Sequence, residues 1–102
     1  YKNRIENNVG IEMASVIPGF YQKYDIDDVA GCIAPRDLLL VSASEDKYSK
    51  DADYTTRQIS PLYAVCHRES ALYHKRYFGG HALTRERFDF IIHWMTETSE
   101  RI

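Results

Sequence analysis

The chain has 102 residues, a mass of 11.9 kDa and thirteen Lys and Arg against fifteen Asp and Glu, for a formal net charge of -2. Its length allows one domain, and a hydrophobic content of 44% with 13% aromatics excludes a disordered chain. Charges of both signs are interspersed without a basic stripe, and no apolar run approaches the ~20 residues that span a bilayer, so neither nucleic acid nor membrane is expected as a partner.

The opening Tyr1-Lys2-Asn3-Arg4 does not have the form of a signal peptide, which leads to the expectation of a cytoplasmic protein. A first residue other than Met suggests a natural start further upstream. Residues 1–10 are polar and Asn-rich and read as a lead-in, and Val16-Ile17-Pro18-Gly19-Phe20 is a Pro-Gly turn carrying apolar residues that the rest of the protein should cover. Asp25 can cap a short helix through Ile26-Asp27-Asp28-Val29-Ala30, which Gly31 weakens and Pro35 ends. Cys32 and Cys66 lie in different apolar contexts without CxxC or Cys/His spacing and read as buried free thiols.

Asp37-Leu38-Leu39-Leu40-Val41-Ser42 is continuously apolar rather than alternating, the pattern of a strand covered on both faces in a parallel sheet. The small polar stretch Ser42-Ala43-Ser44-Glu45-Asp46 then leaves its C-terminal end, where parallel α/β sheets carry their chemistry. Ser49 can cap a helix whose first turn holds Asp51 and Asp53, with Thr55, Ile59, Leu62 and Cys66 facing the sheet and Pro61 kinking or splitting it. Residues 71–78, rich in Tyr and charge, form a second strand nearer the edge, and Tyr73 and Tyr77 pack on the sheet.

Gly79-Gly80-His81 follows as a sharp corner, because glycine reaches positive φ at little cost and leaves the next side chain displayed. Thr84 caps the final helix, Leu83 can meet Phe88 as a hydrophobic staple, and Phe88, Ile91, Ile92 and Met95 form an i, i+3, i+4, i+7 stripe that pins His81 to the sheet. Strand, helix, strand and helix in this order predict a right-handed crossover between parallel strands.

An acid after one parallel strand and a histidine after the next are two members of a nucleophile-His-acid arrangement. The histidine takes the nucleophile's proton while the carboxylate holds its tautomer. Asp46 is the preferred acid. Glu45 is its neighbour and rival, and Asp51 and Asp53 suit the helix start better. If the pairing is real, the Asp46 carboxylate lies within hydrogen-bond reach of a His81 ring nitrogen where the strands end. His67, His74 and His93 read as surface histidines, and no His or Cys pair has zinc-ligand spacing.

Ile33-Ala34-Pro35-Arg36-Asp37-Leu38-Leu39-Leu40-Val41, then Glu45-Asp46, then Tyr77-Phe78-Gly79-Gly80-His81 and a last helix with Trp94 resemble the C-terminal part of an α/β-hydrolase, closest to the dienelactone-hydrolase and acetyl-xylan-esterase-like branch. The resemblance covers residues 25–97, with 1–24 as lead-in, and departs from the branch at Asp37 and at Ser42-Ala43. It implies that residues 1–102 form a single partial α/β domain, a β-α-β-α piece of a parallel sheet, with Asp46 as triad acid and His81 as triad base.

No G-x-S-x-G elbow occurs in these 102 residues. Ser42, Ser44 and Cys32 are poor internal nucleophiles, since neither serine sits on a Gly-flanked elbow and Cys32 precedes the strand. The expected function is therefore carboxylic-ester hydrolysis completed by an upstream serine, without cofactor or metal, on a small-molecule ester. The alternatives are a peptidase of the same fold and a non-catalytic packing module. Two strands cannot cover an interior strand such as Leu38-Leu39-Leu40-Val41, so apolar edges should be exposed unless the upstream part or another copy covers them.

Overall fold

The computed structural model describes Arg4, Glu6 and residues 17–100, and the expectations for the remaining residues of 1–16 lie outside the described set. In chain order the elements are α1 (Phe20–Lys23), α2 (Ile26–Gly31), β1 (Leu38–Ala43), a 3-10 turn (Lys47–Ser49), α3 (Ala52–Val65), a second 3-10 turn (Glu69–Ala71), β2 (Leu72–Tyr77) and α4 (Arg85–Glu100). β1 and β2 pair in parallel, Leu38 opposite Leu72 and Ala43 opposite Tyr77, and α3 supplies the crossover that parallel pairing demands. The fold is of mixed α/β character: a two-stranded parallel sheet with helices.

Side chains alternate along a strand, and β2 shows which helix takes which face. His74 and Arg76 reach Asp53 of α3, whereas the Tyr73 and Tyr77 rings lie 5.9 and 6.4 Å from Phe90 of α4. The two helices therefore cover opposite faces. The buried apolar residues are Ala43, Ile59, Tyr63 and Ala71, of which Ile59 and Tyr63 come from α3. Tyr63 is fully buried, and its hydroxyl donates to the Arg36 carbonyl at 2.6 Å, fastening α3 to the segment just before β1. Burial pushes its phenol above the ordinary value of 10.0.

Local chemistry explains the element ends. Asp25 and Asp28 form a reciprocal capping box at α2, with the Ile26 N–H donating to Asp25 at 2.7 Å and the Asp25 N–H donating to Asp28 at 2.8 Å. α2 extends through Gly31, and α3 passes so close there that a Cβ would meet the Leu62 side chain at 2.9 Å. α3 ends in a Schellman motif. His67 stands at φ 56°, its N–H donates to the Ala64 carbonyl at 3.0 Å, and the Arg68 N–H donates to the Tyr63 carbonyl at 2.9 Å.

Several expectations need correction. Cys32 and Cys66 are free but exposed, since each lies at or just beyond a helix end rather than on its packed face. Ser49 does not cap α3; it closes the preceding 3-10 turn, and Asp51 occupies the N-cap position. Pro61 lies inside a continuous α3 and does not split it. The face of α3 on the sheet runs through Thr55, Ile59 and Tyr63, leaving Leu62 half exposed and Cys66 outside.

In α4 the stripe is rotated from the expected one. Arg87 and Thr98 are buried and Phe90, Ile91 and Trp94 half buried, while Phe88, Ile92 and Met95 are exposed. Helix phase is set by Phe90 on Tyr73 and Tyr77 and by Arg87 beneath the Gly79-Gly80 corner, and hydropathy alone contains no such information. Leu83 and Phe88 are both exposed. Thr84 is the cap, its hydroxyl accepting from the Arg87 N–H at 3.2 Å.

Leu38, Leu39, Leu40 and Val41 are only half buried, and Val65, Phe78 and Leu83 are largely exposed, so apolar edges are open as two strands require. Among the described residues no helix is long and apolar enough to cross a membrane.

Candidate active site

Past their last paired residues the two strands remain stitched together. The Ser44 N–H donates to the Tyr77 carbonyl at 2.9 Å and the Glu45 N–H to the Gly79 carbonyl at 2.8 Å, while the Ser44 hydroxyl accepts from the Gly79 N–H at 3.2 Å. These bonds run between the segments carrying Asp46 and His81, so both residues emerge at the same end of the sheet. Gly79 makes the turn at φ 116°, where L side chains are strained, whereas Gly80 is outside the positive-φ region and has open space where a Cβ would stand. Of the expected glycine pair, Gly79 is the one whose backbone requires glycine.

At that end, Nδ1 of His81 lies 2.9 Å from Oδ2 of Asp46. Asp46 Oδ1 accepts the Tyr48 N–H at 2.9 Å and so caps the 3-10 turn, which holds the carboxylate still. Its side chain is 9% exposed and that of His81 69%. Burial alone would raise the Asp46 pKa, but the hydrogen bonds from His81, the Tyr48 N–H and Ser49, with the charge of His81, outweigh it and hold the carboxyl below its ordinary 3.8.

An ionised carboxylate only accepts hydrogen bonds, so the His81 nitrogen facing it is the N–H donor. In the neutral ring Nε2, on the far side, then carries the lone pair. The Tyr48 ring meets the imidazole edge-on, with centroids 4.9 Å apart at 60°, and the Arg4 guanidinium and Lys47 ammonium each lie 5.2 Å from the Tyr48 ring centre. The pair can therefore accept, hold and return a proton at Nε2.

The other expected residues are placed elsewhere. Glu45 is exposed, Asp51 stands at the α3 N-cap, and Asp53 serves His74 and Arg76. His67 is exposed in the α3 terminus, and His93 pairs with Glu97 at 3.1 Å on α4. His74 is not a surface residue. Its side chain is 12% exposed, Nε2 lies 2.6 Å from the Ser42 hydroxyl and Nδ1 lies 3.4 Å from Asp53. This second Ser-His-Asp line joins β1, β2 and α3, but Ser42 is buried at 4% exposure, so its hydroxyl is a structural partner rather than a presented nucleophile. Period-two alternation on β2 was the signal that could have placed His74 inward.

Arg87 also went unnoticed in the sequence. It is 8% exposed, and its guanidinium donates to the carbonyls of Gly80 at 2.9 Å, Ala82 at 2.7 Å and Phe78 at 3.2 Å. Among the described residues no group of three or more His, Cys, Asp or Glu could hold a metal. A cleft of about 360 Å³ beside Tyr24, Asp25 and Tyr54 and a groove of about 610 Å³ beside Thr56, Ser60 and Leu72 both exclude Asp46 and His81, which sit on an open corner. Comparison with protein-family models, curated proteins and solved structures finds no match, leaving the geometry of Asp46 and His81 to carry the functional reading.

Proposed function

We propose that Asp46 and His81 are the acid and base of a Ser-His-Asp ester hydrolase of the α/β-hydrolase fold, closest to its dienelactone-hydrolase-like branch, with the serine supplied by a segment upstream of Tyr1. The observation that carries the reading is the 2.9 Å contact between His81 Nδ1 and Asp46 Oδ2 at the C-terminal ends of adjacent parallel strands. In this chemistry His81 Nε2 takes the serine proton as the hydroxyl attacks the ester carbonyl, then returns it to the leaving alcohol. Water, activated by the same nitrogen, cleaves the acyl-enzyme, and Asp46 stabilises the imidazolium at each step. The open edge of β1 and its half-buried leucines suit coverage by that upstream segment or by another copy.

The gene upstream of Tyr1 is expected to encode G-x-S-x-G between a strand and a helix, and the protein carrying it to hydrolyse p-nitrophenyl acetate. There His81→Ala or loss of the serine should lower kcat by about 10⁶-fold. The 102-residue chain alone should show no turnover above buffer. His81-dependent turnover by that chain, or an extended protein indifferent to His81→Ala, refutes the proposal. A second reading, a packing module without catalysis, is favoured by the exposed Val65, Phe78 and Leu83, and a stop codon directly upstream supports it.

A further inference from the structure

Arg87 is the most buried charged side chain of α4, yet among the described residues its guanidinium binds no carboxylate. All three of its polar contacts are backbone carbonyls, those of Phe78, Gly80 and Ala82, which bracket His81 on both sides in sequence. The guanidinium carbon also lies 5.2 Å from the Tyr77 ring centre, and a Cβ on Gly79 would stand 3.4 Å from Nη2. A planar, permanently charged fork can satisfy divergent carbonyls together, which a lysine's single ammonium cannot do in the same geometry.

His81 itself has little else to fix it. With 69% of the side chain exposed, its orientation rests on the Asp46 bond, the Tyr48 ring edge and the backbone that bears it. That backbone departs from β2 after Tyr77 and has no regular structure again until α4 begins at Arg85. Arg87 bridges this gap, reaching from the first turn of α4 back to the carbonyls on either side of the histidine.

We infer that Arg87 is the positioning residue of the Asp46–His81 pair, setting the backbone of residues 78–82 so that Nδ1 faces the carboxylate and Nε2 faces outward. The inference rests on the acid–base reading of that pair. It makes α4 part of the site: the helix holds the histidine through one buried guanidinium rather than through its apolar stripe.

The test reads the His81 ring directly in the ¹⁵N-labelled 102-residue chain, by long-range ¹H–¹⁵N spectra above the histidine transition. The wild-type ring should be predominantly the Nδ1–H tautomer, and Asp46→Asn should abolish that preference. Arg87→Met and Arg87→Lys should each shift the ring to a mixture in which Nε2–H prevails, with the lysine keeping more of the native tautomer. The control Arg85→Ala, which removes an exposed partner of Asp89, should leave it unchanged. Should Arg87→Met fail to fold by circular dichroism, Arg87→Lys, which retains the charge and the alkyl stem, decides. A native tautomer ratio in folded Arg87 variants overturns the positioning role while sparing the pair. A wild-type ring without the Nδ1–H preference overturns the pair, and the positioning role with it.

Discussion

Replacing Gly79 by Ala should unfold this domain more readily than replacing its neighbour Gly80, although the two substitutions add the same methyl group one residue apart. Gly79 sits at φ 116°, and holding a non-glycine residue in such a region costs about 1–3 kcal/mol. The added Cβ would meet the Arg87 guanidinium at 3.4 Å, an ordinary contact, so the cost is conformational rather than steric. At Gly80 a Cβ meets nothing within 4 Å, and removing glycine's freedom from the unfolded chain stabilises by roughly 0.4–1 kcal/mol where the backbone is compatible. The two variants should therefore differ by about 1.5–4 kcal/mol, which with a urea slope of about 1–3 kcal/mol/M separates their midpoints by ~1 M. Trp94, the single tryptophan, reports the transition by fluorescence. Equal midpoints, or Gly80→Ala as the weaker variant, would refute the assignment of the corner to Gly79.

His67 occupies the left-handed position that closes α3, where glycine is the usual residue, so His67→Gly should raise stability by about 1 kcal/mol; a lower thermal midpoint would contradict the Schellman assignment. Asp46 has a folded-state pKa below its ordinary 3.8, so it contributes stability that is fully present above that value and is lost as pH falls through the depressed pKa. Asp46→Asn should therefore be less stable than wild type at neutral pH, with the gap closing below about pH 3.8 in acid titrations of unfolding. A gap that persists unchanged at pH 2 would mean that the ionised carboxylate is not the stabilising species.

Much of the local structure was legible because it depends on neighbours in sequence. Asp25 caps α2, Thr84 caps α4, and the apolar run at Leu38-Leu39-Leu40-Val41 forms a strand, because a capping oxygen or an apolar run acts within a few residues. Helix phase was harder to read. On α3 Thr55 and Ile59 face the sheet as expected but Tyr63, not Leu62 or Cys66, completes that face, and on α4 the buried residues turned out to be polar ones, Arg87 and Thr98. A hydropathy pattern treats such residues as outward-facing, whereas three carbonyls waiting at a corner make Arg87 the residue that best fits inside. His74 was misjudged likewise, since the partners that satisfy it lie 32 positions back at Ser42 and 21 positions back at Asp53.

The sequence by itself determined that an acid follows the first strand and a histidine the second, with one helix between, because strand length, turn residues and caps are written locally. The order of elements also foretold parallel pairing, but only the tertiary structure decided the register that brings Asp46 Oδ2 and His81 Nδ1 to 2.9 Å. Register depends on what packs across the sheet, which no short stretch of chain encodes. The same is true of the guanidinium beneath the corner: its three acceptors become neighbours only after α4 has docked.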